Sequence, residues 1–245
     1  MNNQIPSIII LKDPNSVAET AANRFVEISF QAEQENGIKH IALSGGTTPA
    51  LLFKLLTLNE YKQKINWQNI HLWWGDERAV GPDNKDSNFG KAEKLLLNEI
   101  DIPSENIHRI KGELEPEKAA KEYHQELVNI LPFINGTPSL DLIFLGMGDD
   151  GHTASLFKID SIFKSKSFTA VTTHPGTGQK RITLTSIALC SSKQITYLVT
   201  GQNKAPKIED ILGSTTPVKD CPASLIKSEN GITEWIIDEQ AGMFL

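Results

Sequence analysis

Residues 142–157 read LIFLGMGDDGHTASLF, and the fold turns on how this stretch is read. The apolar run Leu142–Leu145 has the character of a buried strand. The glycines after it, Gly146, Gly148 and Gly151, fit the spacing G-x-G-x-x-G of a dinucleotide-binding turn. Three features argue against a dinucleotide. Asp149 and Asp150 would set two carboxylates against a pyrophosphate, no acidic residue ends the next strand-like run FTAVTTHP (168–175), and the fingerprint belongs to the first βα unit of its fold. What remains is a strand end whose glycine turn projects Asp150 and His152, two residues apart, at the mouth of a sheet.

Outward from this point, strand-like and helix-like segments alternate, the pattern of an open, mostly parallel α/β sheet. SIIIL (7–11) precedes a helix whose face carries Val17, Ala21, Phe25 and Ile28, with Gly37 as its stop. IKHIALSGG (38–46) follows. Thr48 is then read as an N-cap and Pro49 as the first helical residue of PALLFKLL. NIHLWWGDER (69–78) leads through the polar loop AVGPDNKDSN (79–88) to a helix from about Phe89 to Ile100. PEKAAKEYHQELVNIL (116–131) is amphipathic, with Ala119, Ala120, Tyr123, Leu127 and Leu131 on one side. FTAVTTHP, RITLTSIAL, ITYLVTG and EWIID supply further strands, and APKIEDILG a helix between the last two. With no repeat and no Gly/Pro/Ser-rich linker, residues 1–245 are expected to form one domain.

The 245 residues carry a net charge of −6, which supplies no basic field for nucleic acid or an anionic membrane. Two cysteines, Cys190 and Cys221, form no C-x-x-C pair and fit a reducing compartment. The opening MNNQIPSIIILKDPNS has only a short apolar run broken by a charge, so a soluble, cytoplasmic chain is expected.

In open α/β sheets ligands sit beyond the carboxyl ends of the strands. Three runs end alike there, in SGGTTP, GDER and GMGDDGH. Gly45, Gly46, Thr47 and Thr48 stand where a strand meets a helix N-terminus, a place that suits a phosphate and equally suits a plain tight turn. A nucleotide P-loop would need G-K-[ST], which is lacking. Arg78 offers a rigid cationic fork for a phosphate or oxyanion, although Asp76 or Glu77 could simply pair with it. Arg181 and Lys204 flank strands and read either as clamps or as solvated charges. His152 is the side chain best suited to proton transfer near neutral pH, with Asp150 placed to orient it. His40 and His71 begin strands, His108 lies in a loop, His124 falls on a helix, and His174, before Pro175, is a second candidate. No H-E-x-x-H, H-x-H or cysteine pair occurs, so a metal would need scattered ligands such as Asp150, His152 and His174, and none is expected. The missing G-x-S-x-G removes a serine elbow and leaves activated water for any hydrolysis.

Taken together, LSGGTTP (43–49), WWGDERAV (73–80) with DSNFG (86–90), and GMGDDGHTASLF (146–157) resemble, in order, the motifs of the 6-phosphogluconolactonases, within the glucosamine/galactosamine-6-phosphate isomerase superfamily. RITLT, GQNKA and CPASLI (221–226) continue the resemblance. It implies a Rossmann-like fold, an open, mostly parallel sheet with helices on both faces, and a lactonase of the pentose phosphate pathway that uses no cofactor. By the same resemblance His152 is the general base on water and Asp150 orients it. Arg78 binds anionic groups or supports the oxyanion; Gly45, Gly46, Thr47, Arg181 and Lys204 hold the phosphate; and Asn88 touches sugar hydroxyls. The implied partner is a small sugar phosphate lactone, with no nucleic acid and no membrane, bound by a monomer or a weak dimer. Related deaminases also carry DGH but continue it with Ile-Ala-Phe-Asn-Glu-Pro, where this chain has Thr153-Ala154-Ser155-Leu156-Phe157. An aminosugar-phosphate deaminase or isomerase, and a non-catalytic sugar-phosphate sensor, are the rival readings. Lys158 departs from the family, which usually has proline there.

Overall fold

The computed structural model describes residues 6–214 and 218–245; residues 1–5 of the opening segment lie outside them. In chain order the elements are β1 (Ser7–Leu11), α1 (Pro14–Gln34), β2 (Lys39–Leu43), α2 (Thr47–Leu56), α3 (Asn59–Lys62), β3 (Ile70–Trp74), β4 (Asp76–Arg78), α4 (Asn88–Leu95), α5 (Pro116–Ile130), β5 (Phe133–Ile134), β6 (Thr137–Pro138), β7 (Leu142–Leu145), β8 (Thr169–Thr173), β9 (Lys180–Leu184), α6 (Ser186–Cys190), β10 (Gln194–Val199), α7 (Ala205–Leu212), α8 (Pro222–Leu225) and β11 (Ile232–Asp238).

Six strands form a wholly parallel sheet in the order β1-β11-β10-β7-β2-β3. β2 and β7 are buried along their whole length, which is why their sequences are continuous apolar runs without polar alternation. Helices cover both faces. Successive strand side chains point to opposite sides: Glu234 of β11 binds Arg24 of α1 at 2.9 Å on one, while on the other Trp235 stacks on Tyr197, whose hydroxyl reaches α8 at Ala223 O. The outer edge of β3 is closed by α5, since the Tyr123 hydroxyl accepts from Trp74 N and donates to Trp74 O, both at 2.9 Å.

Two of the runs read as strands, FTAVTTHP (168–175) and RITLTSIAL (181–189), do not join this sheet, and the SIAL end of the second is helical, in α6. β8 and β9 pair antiparallel, and β4 completes a separate sheet in the order β4-β9-β8. Gly75 is the junction, its N–H donating to Leu43 O in the main sheet at 3.0 Å and its carbonyl accepting from Leu184 N at 2.8 Å. Within GDER, read as the polar end of the third strand run, Asp76–Arg78 are therefore a strand of the small sheet. The helix read as 89–100 is shorter, Asn88–Leu95, followed by a 3-10 turn, Leu97–Glu99. A contiguous apolar core joins both sheets, from Val17 through Trp73 and Phe144 to Ile182 and Ile236.

Candidate active site

β2 hands the chain on toward β3 at one side, and β7 hands it toward β10 at the other. The crevice between them is where such sheets take ligands. A cleft of about 290 Å³ lies there, lined by residues 44–49 after β2, Asp76 and Arg78 of β4, Asn88, residues 146–148 with His152 and Ala154 after β7, and Leu198–Thr200 with Lys204 at the end of β10. Seven of the nine candidate residues, Gly45, Gly46, Thr47, Arg78, Asn88, His152 and Lys204, line it. Asp150 and Arg181 stand behind this lining.

The turn after β7 is built around the histidine. Gly148 N donates to His152 O at 2.9 Å and Gly151 N to Gly148 O at 3.0 Å. Asp150 Oδ1 accepts from both His152 N, at 3.1 Å, and His152 Nδ1, at 2.6 Å. With its proton on Nδ1, the imidazole keeps its lone pair at Nε2. Burial pushes the Asp150 carboxyl up, but the His152 N–H, its positive form and its ring donor together outweigh this and hold it below the usual aspartate value. The glycines serve this packing. A Cβ on Gly148 would lie 2.1 Å from His152 Nδ1; Gly151, at φ +84°, would place one 2.4 Å from Cys221 Sγ. Ala223 N ties the turn to α8 through Gly151 O at 3.0 Å.

At the end of β2, helix α2 begins two residues earlier than the sequence reading had it, at Thr47 rather than Pro49. Its N-cap is Gly46, at φ +121°, and no side chain caps it. Thr48 is not the cap: its hydroxyl bonds that of Thr200 at 2.8 Å, and the entry to the helix takes a positive φ that glycine adopts without strain. The first N–H groups and the positive end of α2 are left facing the cleft.

The small sheet brings in the cations. Arg78 is the cross-strand partner of Arg181, which in turn pairs with Thr172 of β8, so the three side chains project from one face. Arg181 is only 8% exposed, and its Nε, like that of Arg78 and the hydroxyl of Thr172, has no hydrogen-bond partner. Burial and then the charge of Arg78 lower the Arg181 pKa. Neither Asp76 nor Glu77 pairs with Arg78. Glu77, almost fully buried, accepts from Arg78 N, Asn88 N and Phe89 N, each at 2.7 Å, and from Ser87 Oγ at 3.0 Å. Arg78 Nη1 donates instead to Asp86 O at 2.7 Å. Asp76, Glu77 and Asp86 partly offset the charge of Arg181 at longer range, but two adjacent guanidinium groups in no direct ion pair still attract an anion.

Asn88 packs on Gly45 so closely that a Cβ there would sit 1.9 Å from its Oδ1. Its Nδ2 donates to Asp76 O and Oδ1 at 3.0 and 3.2 Å, leaving Asn88 Oδ1 buried and unpartnered. Asp76 Oδ2 accepts from Ser155 Oγ at 2.6 Å. Sequence reasoning missed Asp76, Ser155 and Thr200 as parts of the site. A strand-end aspartate ahead of Arg78 was the one available signal. His174 accepts from Gly176 N and Thr177 N through Nδ1, both at 3.1 Å, and Phe157 lies between it and His152, with ring centroids 5.1 and 4.9 Å away. Among the described residues no group of three or more His, Cys, Asp or Glu is arranged to hold a metal ion.

Fold and cleft together define a Rossmann-like α/β protein with a polar cleft over the crevice of its sheet. Residues 12–235 match the family described as glucosamine-6-phosphate isomerases/6-phosphogluconolactonase, and the chain belongs to that family. It is 45% identical over 226 residues to the 6-phosphogluconolactonase of Haemophilus influenzae, covering 91% of this chain and 95% of that one. The crystal structure of the devB protein superposes with a TM-score of 0.90 at 42% identity, covering 97% and 98% of the two chains. That of 6-phosphogluconolactonase from Trypanosoma brucei gives 0.87 at 26% identity, covering 98% of each.

Proposed function

We propose that this chain hydrolyses 6-phospho-D-glucono-1,5-lactone to 6-phospho-D-gluconate, a step of the oxidative pentose phosphate pathway, with water activated by His152. One observation carries the reading: the Asp150–His152 pair opens onto the same cleft as the uncapped α2 N-terminus, Arg78 and Lys204. His152 Nε2 takes a proton as water attacks the lactone carbonyl carbon, and Asp150 holds the ring and balances its charge. Arg78, backed by Arg181, faces the developing oxyanion. When the tetrahedral intermediate collapses, the bond from the carbonyl carbon to the ring oxygen breaks and the imidazolium returns the proton to that oxygen. Gly45, Gly46, Thr47 and Lys204 hold the phosphate, with Arg181 adding to the field. Asn88, on the cleft wall, touches the sugar hydroxyls. No cofactor enters these steps.

Against a deaminase or isomerase stands the wall beside His152, where the Phe157 ring lies with its centroid 4.9 Å away, in a chain that carries Thr153-Ala154-Ser155-Leu156-Phe157 where the deaminases have their asparagine and glutamate. A passive sensor would have no use for a hydrogen-bonded His–Asp pair in the phosphate cleft. The protein acts as a cytoplasmic monomer in this reading, and among the described residues no helix is long and apolar enough to cross a membrane. The test is the hydrolysis of fresh 6-phosphogluconolactone, corrected for spontaneous opening, beside uncharged gluconolactone. A kcat/KM at least roughly 100-fold higher for the phosphorylated ring, the worth of about 3 kcal/mol of anion contacts, is expected. Equal rates on both would remove the phosphate clamp.

A further inference from the structure

Lys204 is not waiting free in the cleft. Its ammonium is bonded to Asp149 Oδ1, which also accepts from Asn203 Nδ2 at 2.8 Å. The backbone beneath Lys204 is fixed. Gly201 N donates to both oxygens of the buried Asp238, at 3.0 and 3.1 Å, and Lys204 N closes a tight turn on Gly201 O at 3.0 Å. Only the flexible stem of Lys204 is left to move. Its side chain is 19% exposed and lines the cleft, whereas Asp149 is 63% exposed and does not.

We propose that Asp149 is an internal competitor for the anion site, a carboxylate that holds Lys204 in the unliganded protein and yields it to a dianionic phosphate entering the cleft. This rests on the phosphate site described above. The exchange is easy in one direction only. Asp149 is largely in water, so it gives up Lys204 at little desolvation cost and keeps Asn203. A monoanion offers Lys204 no more charge than Asp149 already does. A phosphate dianion at the α2 N-terminus offers about twice as much, in a less exposed place. Asp149 therefore weakens the hold on an anion that recruits Lys204 by the worth of its own pairing, and a dianion still comes out ahead. The nearby charged groups do not compete for it: Lys207 is paired with Asp210 at 2.8 Å, and Asp150 is committed to His152. The Lys204 ammonium first, and then Asn203, outweigh the upward push of burial and hold the Asp149 carboxyl below its ordinary value, so it stays ionised throughout the neutral range.

The reading differs from one in which Asp149 merely steadies Lys204, because the two give opposite signs. Dissociation constants for inorganic phosphate are measured calorimetrically at pH 8 for the wild type, Asp149→Asn, Lys204→Met and the double variant. Asp149→Asn is expected to bind phosphate roughly three- to fivefold more tightly, the worth of an exposed ion pair. The gain should shrink to less than about twofold in the Lys204→Met background. In turnover, the KM ratio of uncharged to phosphorylated lactone should rise in Asp149→Asn by a similar factor. Unchanged or weaker phosphate binding in Asp149→Asn overturns the exchange while leaving the phosphate site standing. Phosphate binding absent from all four proteins overturns the site itself, and the exchange with it.

Discussion

His152 has two constraints that a free histidine lacks: a carboxylate on Nδ1 and a glycine under its ring. Asp150→Asn keeps the shape but removes the charge that balances an imidazolium, and its kcat should fall on the order of 100-fold with KM for the phosphorylated lactone little changed. Gly148→Ala tests the packing. Its new methyl meets the imidazole, which must turn away from Asp150, so steady-state kinetics should show a comparable loss of kcat while far-UV circular dichroism stays native. A fully active Gly148→Ala would mean that the ring position does not matter. The glycine spacing was legible as a turn and Asp150 with His152 as its cargo. That each glycine answers to a neighbouring side chain, Gly148 to His152 and Gly45 to Asn88, was not, because those contacts depend on distances no spacing rule encodes.

At the scale of elements, the small sheet β4-β9-β8 sets Arg78 beside Arg181, and Glu77 fastens it to α4. Glu77 alone satisfies two backbone N–H groups and a hydroxyl at the helix start, and Arg78 N in β4. Burial raises its pKa, with the N–H donors of Phe89, Asn88 and Arg78 pulling the other way. Glu77→Ala strands those donors and should destabilise the fold by about 3 kcal/mol in denaturant titrations. A loss under about 1 kcal/mol would show that water replaces the carboxylate. The alternation of strands and helices was readable because long apolar runs and amphipathic helices carry their own period. β4 was not. Three residues, Asp76–Arg78, are too few to show alternation, and only pairing with Arg181–Thr183, about a hundred positions away, makes them a strand. The N-cap was misplaced for a similar reason: Thr48 is the usual cap type, yet Gly46 carries the backbone turn and Thr48 is engaged by Thr200 from β10.

Across the whole molecule, the end of the sheet opposite the cleft holds a second polar cluster that sequence reading assigned no role. Trp73 Nε1 donates to His40 Nδ1 at 3.2 Å, His71 Nδ1 meets His108 Nε2 at 2.8 Å, and His108 Nδ1 meets Glu126 at 2.7 Å. Burial first, and neighbouring imidazoles second, push His40 and His71 each down to about 4. The folded state therefore resists protonation of groups that protonate near 6.5 in the unfolded chain. Stability from this source is intact above pH 6.5, falls as pH drops from 6.5 toward 4, and levels off below that. For His40 the loss reaches about 3 kcal/mol; the more open His71 adds a smaller, screened share. Thermal unfolding midpoints should drop by roughly 10 °C between pH 7 and pH 4.5, and a His40→Gln variant should show a visibly shallower fall. Equal slopes in the two proteins would remove the cluster as the cause.

The central claim is that His152 activates water over a ring whose phosphate is held elsewhere in the cleft. Its most direct test measures kcat for 6-phosphogluconolactone and the dissociation constant of inorganic phosphate in the same His152→Ala preparation. Catalysis should fall by about 100- to 10,000-fold with phosphate affinity within about twofold of wild type. Wild-type turnover in that variant, after correction for spontaneous lactone opening, would contradict the account.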